Sequence, residues 1–202
     1  MLRCSMLLST VLFVGWAAPA AQALEFVKTI NIRQNLADSW HLAEVEGIQT
    51  GTGVNLASQA NGGVASATGT TAGFGSIFGD GNDGNRIGNF NVGSVWHDDG
   101  DADTGEIYTI TLANPSNLSA ISIFGRTDCC QGRDDNLTLE LRNAGGVLLY
   151  SVNFGIPNVP DTSSTTAVNG ITLQLPVVPE PATATLGLIS VAGLMLRRRR
   201  MA

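Results

Sequence analysis

Histidine, cysteine and basic residues are all scarce in this chain, and each shortage narrows what it can do. The 202 residues hold two histidines, His41 and His97, and three cysteines, with 11 Lys plus Arg against 17 Asp plus Glu. No Ser/His/Asp set occurs in a plausible order for nucleophilic catalysis. A glycosidase would need a carboxylate pair across a sugar cleft, which the acidic run Asp98, Asp99, Asp101 and Asp103 could supply; the chain is nonetheless expected not to be an enzyme. A helix-length 3.6-residue periodicity is missing everywhere except at the two ends.

Those ends read as processing signals rather than as fold. The N-terminus has Arg3, an apolar run over 6–18 and the small-x-small string Ala21-Gln22-Ala23, so residues 1–23 are expected to be a signal peptide cleaved after Ala23. Pro19 speaks against a first core helix there. Residues 177–202 combine "VPEP", an apolar segment over 182–196 and Arg197 to Arg200. That segment is short against the roughly 20 residues a stable span needs, and its arginines would keep the end on the cytoplasmic side. The order of the three parts resembles the PEP-CTERM sorting signal. The resemblance implies transient inner-membrane anchoring and handling by an exosortase of a Gram-negative bacterium that makes exopolysaccharide, with the product at the cell surface or in the extracellular matrix.

Without Arg3 and the four terminal arginines, Lys plus Arg falls from 11 to 6 against 17 acids, a balance of −11. Such a surface repels nucleic acid and anionic polysaccharide, and is compatible with neutral sugars and divalent cations. Cys4 leaves with the signal, so Cys129 and Cys130 remain, in an oxidising compartment where thiols join.

What the middle does have is alternation. "FVKTINIR", "LAEVEGI", "EIYTITL", "LSAISIF", "LTLELRN", "VLLYSVNF" and "GITLQL" alternate apolar and polar residues between Gly, Asn, Asp and Ser clusters. An all-β domain over 24–176 is expected, an antiparallel β-sandwich or jelly roll. Residues 62–75 are read as an edge strand with an extended loop, and the long polar loop over 75–105 as a place for function.

The stretch "RTDCCQGR", residues 126–133, concentrates chemistry. Neighbouring Cα atoms stand about 3.8 Å apart, below the usual disulfide range of about 4.4 to 6.8 Å. A Cys129–Cys130 bridge would therefore be a strained, flat, apolar ring suited to the carbon face of a sugar; two reduced thiols, one of them buried, are the alternative. Arg126 and Arg133 offer planar forks of donors for vicinal hydroxyls, with Asp128 placed to orient one of them; ordinary surface pairs with Asp134 or Asp135 would account for the arginines equally well. In "FGDGNDGN", residues 78–85, Asp80 and Asn82 around Gly81 present oxygens as a Ca²⁺ turn does, though Asp-Gly-Asn is also a plain turn.

"RTDCCQGR" resembles the R-x-D-C-C-x-x-R stretch of the fucolectins, or F-type lectins, and "GSVWH", residues 93–97, resembles their G-S-x-x-H, with 28 residues between His97 and Arg126. The resemblance implies a galactose-binding-like fold in which His97, Arg126 and Arg133 grip a fucose-like sugar, Asp128 orients, and Cys129 with Cys130 stacks on it. Trp96, beside His97, is a further stacking candidate. A histidine acceptor would make mild acid weaken binding. In fucolectins and their discoidin-like relatives a D-G-N loop binds structural Ca²⁺, which places Asp80, Asn82 and Ser94 as ligands. Their remaining calcium glutamate comes from a last strand like L-x-E-V-E-V; here the matching "HLAEVEGI" stands at the start, so the domain reads as circularly permuted, with Glu44 and the Ala43 carbonyl as the other ligands. "EIYTITL" replaces the family's W-W-x-V-D-L strand, and the loop before Gly93 is longer. The chain is thus expected to be an exported, calcium-stabilised carbohydrate-binding protein for a fucose-like or other neutral glycan, with a structural matrix or adhesion protein as the alternative.

Overall fold

Alternating sequence becomes antiparallel strand throughout the computed structural model, which describes residues 24–68, 73–93, 95–98 and 105–176. Both terminal signals, Ser94 and Asp99, Asp101 and Asp103 lie outside the described residues. Among those described, the strands are β1 (Leu24–Gln34), β2 (His41–Leu42), β3 (Glu44–Gln49), β4 (Val64–Ala67), β5 (Trp96–His97), β6 (Ile107–Gly125), β7 (Leu137–Arg142), β8 (Leu148–Phe154) and β9 (Asn169–Gln174). No helix among them is long and apolar enough to cross a membrane.

The segments "EIYTITL" and "LSAISIF", expected as two strands, are one 19-residue strand, β6. Its first half lies between β1 and β4 and its second between β3 and β9, while β1 carries the sheet on through β7 to β8. The partners change around Asn114-Pro115-Ser116, where the chain is exposed or half-buried. Proline donates no ladder hydrogen bond, and β1 opposite this point shifts register between Leu24 and Val27 and again before Thr29. The inward phase survives the change, since Tyr108, Ile110, Leu112 and Leu118 are all buried. Residues 62–75 contain a short strand, β4, which among the described residues pairs with β6 alone.

The two halves face each other across the core. Gly47 in β3 shows how closely: a Cβ there would come within 2.9 Å of Ile30 Cδ1 on β1. Ile30, Ile32, Ile121, Ile123, Leu137 and Leu139 fill the space between, each contributing about 1.5–3 kcal/mol by full burial.

Two features outside the large sheet position the site. β2 and β5 pair alone, with His41 opposite His97 and Leu42 opposite Trp96. The β6–β7 connection contains a short 3₁₀ turn, Gln131–Asp134. His41 Nδ1 lies 3.2 Å from Asp134 Oδ2, both side chains buried, and so ties the small ladder to that connection.

Candidate functional site

In a two-residue strand the side chains point to opposite sides, and β5 separates its two candidates in this way. Trp96 goes inward: fully buried, its ring meets Trp40 edge-on at 4.9 Å and Tyr108 at 4.7 Å. The stacking role expected for Trp96 is therefore corrected, since its ring is core and offers no face to a ligand. His97 goes the other way, into an aromatic setting of Phe74 at 4.6 Å, His41 at 5.4 Å and Phe90 at 5.9 Å between ring centroids. Its Nδ1 stands 2.9 Å from the Asp98 carbonyl oxygen and 3.2 Å from Asp98 Oδ1, both acceptors. The neutral ring thus carries its hydrogen on Nδ1 and leaves Nε2 as an acceptor for a hydroxyl.

Phe90 links His97 to the arginine stretch. The Arg126 guanidinium lies 4.7 Å from the Phe90 ring centre, a cation–π arrangement. Arg126 Nε and Nη2 donate to the two Asp128 oxygens at 2.6 and 3.2 Å. Burial works to raise the Asp128 pKa, but the Arg126 hydrogen bonds and charge outweigh it and hold the carboxyl below its ordinary value. The remaining Arg126 donors are thereby held in one direction by a fixed partner.

Cys129 and Cys130 are joined as a vicinal disulfide, both residues half-buried. Cys130 sits at φ 62°, in the left-handed region that a non-glycine residue holds only when its surroundings impose it. Arg133 follows within the 3₁₀ turn, and its ion-pair partner is Asp38 at 3.4 Å, rather than Asp134 or Asp135. Arg133 reaches the rest of the site through its neighbour: Asp134 holds His41, and the His41 ring touches His97. His41 Nε2 and Asp134 Oδ1 are buried with no hydrogen-bond partner.

Phe74 and Phe90 were not picked out as site residues from sequence, yet both meet His97. They line a cavity of about 190 Å³ with Ser76, Asp80, Gly93 and Val95. Phe74 is 70% exposed and sits at φ 55°. An isolated aromatic inside a Gly/Asn-rich loop, as in "GNFNV", was the available signal.

The calcium candidates distribute differently from expectation. The string Asp-Gly-Asn occurs twice in succession, at 80–82 and 83–85. In the first copy Asp80 Oδ2 accepts the Ile77 amide at 2.8 Å, capping the 3₁₀ turn Phe78–Asn82. Asn82 Nδ2 donates to the carbonyls of Ala57 and Gly63, at 2.8 and 3.2 Å, and its Oδ1 is buried without a partner. Glu44 lies instead against the second copy: its Oε2 accepts the Gly84 amide at 3.0 Å and its Oε1 the Asn55 side-chain amide at 3.4 Å. Burial, assisted by the neighbouring Asp83 and Glu46, pushes the Glu44 carboxyl up to about 8. Ala43 is buried beside it, its amide donating to Phe124 O at 2.8 Å. Among the described residues no group of three or more His, Cys, Asp or Glu side chains is placed to hold a metal. No protein-family model, curated protein or solved structure matches this chain.

Proposed function

We propose that the chain is an exported, calcium-stabilised carbohydrate-binding protein, built on a β-sandwich of the galactose-binding-like jelly-roll type and related to the fucolectins by circular permutation. One observation carries the reading: His97 and Arg126 approach the same ring, Phe90, with Asp128 fixing Arg126 and the Cys129–Cys130 pair next in the chain. A sugar placed there meets an acceptor at His97 Nε2, the free donors of Arg126, and apolar surface from Phe90 and the paired sulfurs. This is the mixture of convergent polar groups and apolar wall that sugar hydroxyls and ring carbons require. Arg133 supplies further donors at the other end of the stretch. Binding is favoured over catalysis because the Asp128 carboxylate beside the site is committed to Arg126.

Calcium enters this reading at Glu44. A buried carboxylate beside Asp83 and Glu46 suits a hard cation; the nearby Arg86 guanidinium is engaged by both Glu46 oxygens, and the turn 83–85 offers further oxygens. Glu44, with oxygens of that turn, would hold the ion, which would supply fixed positive charge fastening β3 to the loop. The terminal signals add export, exosortase handling, transient inner-membrane anchoring and a final place at the cell surface or in the exopolysaccharide matrix. The acidic balance makes nucleic acid an unsuitable partner.

A glycan array probed with calcium-loaded protein tests the function. Binding to a neutral glycan that is lost in Arg126→Ala supports it. Silence across the array, with Arg126→Ala behaving as wild type, would leave the structural matrix or adhesion role in its place.

A further inference from the structure

The loop over 88–93 separates two cavities. Phe90 and Gly93 line the one beside His97, whereas Asn89, Asn91 and Val92 line a second, of about 390 Å³. Asp128, Asp161, Thr162, Ser163 and Thr165 complete this second cavity. Asp128 is also the partner that orients Arg126, so the proposed sugar site and the second cavity share the Arg126–Asp128 pair.

The walls of the second cavity are held in place, although residues 155–168 contain no strand or helix. The Thr162 amide donates to Thr127 O at 2.8 Å, the Gly88 amide to Ala167 O at 3.0 Å, and Asn89 Nδ2 to Ser164 O at 3.1 Å. Gln131, buried within the arginine–cysteine stretch, accepts the Val159 amide at 2.7 Å and donates to Asp161 Oδ1 at 3.0 Å. One stretch of chain therefore builds the first site and braces the wall of the second, which preorganises both.

The lining selects a ligand class. Asn side chains and Ser/Thr hydroxyls donate and accept, and the two Asp side chains accept. Among the described residues no aromatic ring and no cationic side chain lines the cavity, and Val92 is the one apolar side chain. Anions are disfavoured by Asp161, and a flat aromatic ligand finds no ring to stack on. Asp128 is already neutralised by Arg126, which weakens the case for a cation. A neutral polyol, with donor and acceptor hydroxyls on every side, matches what remains.

We infer that this cavity takes the second residue of a neutral glycan whose first residue sits against Phe90, so that the ligand is an oligosaccharide recognised across the Arg126–Asp128 pair. This rests on the lectin reading above, and the test separates the two. Isothermal titration of calcium-loaded protein compares methyl glycosides of L-fucose and D-galactose with disaccharides in which the same sugars are terminal. At least one disaccharide is expected to bind about tenfold more tightly than its methyl glycoside, as about 1.4 kcal/mol of added contact gives. Ser163→Trp, which fills the cavity from an exposed loop position, should abolish that gain and leave methyl glycoside affinity unchanged. Asn91→Ala, removing one amide at an exposed position, should reduce the gain severalfold even if the tryptophan variant fails to fold. A gain equal in wild type and in the variants, or no gain at all, overturns the second subsite and leaves the lectin standing. Absence of any sugar binding to wild type overturns both. Ca²⁺ alone shifting the amide resonances of residues 161–165 would make the cavity a cation site and also overturn the inference.

Discussion

Two carboxylates, one in a loop and one at the start of a strand, behave in opposite ways. Asp128, between β6 and β7, is held below its ordinary pKa because Arg126 grips both its oxygens. Glu44, at the start of β3, is pushed up to about 8 because it is buried among other acids. The first region is electrostatically complete within a single stretch of chain: the charge that orients the arginine is two residues away. In the second, a buried acid is brought by a distant strand to a turn that offers more acid and backbone, with no basic side chain among its hydrogen-bond partners. The difference separates the two: Asp128 is held charged by a partner in its own loop, whereas burial makes Glu44 hold its proton, a proton that a cation would displace on the proposed reading.

The largest expected effect breaks the first half of that comparison. Arg126→Ala removes the oriented donors and leaves Asp128, with only a tenth of its side chain exposed, without its partner. Losses of this kind at a central anchor run to about 2–4 kcal/mol, so glycan affinity measured by titration should fall about 30- to 700-fold. A fall under threefold would show that the preformed fork is not the binding element.

The second half is sharpened by asking which D-G-N copy matters. Saturating calcium should raise the melting temperature of wild type, since an ion at 100-fold its Kd stabilises by about 2.7 kcal/mol. Glu44→Gln should abolish that calcium-dependent shift and Asp83→Asn should weaken it. Asp80→Ala should keep it, losing only the cap on Ile77, about 1 kcal/mol. If Asp80→Ala abolishes the calcium response while Asp83→Asn keeps it, the first copy is the ligand turn after all.

What was legible beforehand follows the same divide. Alternation located the strands, and the two-residue spacing from Arg126 to Asp128 located a pair that forms within its own loop. Partnerships decided at long range were not legible. Glu44 had two near-identical turns available, and only the packing of β3 along β6 brings it to the second. The joining of two expected strands into β6 was hidden by Asn114-Pro115-Ser116, which reads as a turn unless both sets of partners are known. Trp96 and His97 looked equally available as neighbours; which faces the core depends on the β2–β5 ladder, and the partner of that ladder lies far away in sequence.

The raised Glu44 pKa gives a smaller, signed effect. Its folded value of about 8 lies above the ordinary 4.5, so the folded state binds this proton more tightly than the unfolded state does. The stability concerned is fully present below pH 4.5 and is lost as pH rises toward 8. In chelator, wild type should therefore melt lower at pH 8.5 than at pH 5.5 relative to Glu44→Gln, by on the order of 5 °C, and millimolar calcium should shrink the difference. The same slope in Glu44→Gln as in wild type would remove Glu44 as its source. Asp128, whose pKa is lowered, acts with the opposite sign at the acid end, where stability falls as its partner-held carboxylate is protonated.

The smallest effect concerns the cysteines and separates plate from scaffold. An ordinary disulfide stabilises by constraining a loop of the unfolded chain, about 2–4 kcal/mol. A bridge between sequence neighbours closes no such loop, so this contribution is nearly absent for Cys129 and Cys130. What the pair does have is half-buried apolar sulfur three and four residues after Arg126, and a backbone turn entered through Cys130 at φ 62°. Replacing both by serine should leave the melting temperature within a few degrees of wild type and weaken sugar binding about fivefold, since a few tens of Å² of apolar contact at about 25 cal/mol per Å² amount to about 1 kcal/mol. Unchanged affinity with a large fall in melting temperature would reverse that assignment, making the pair a support for the Gln131–Asp134 turn and leaving the apolar side of the site to Phe90 alone.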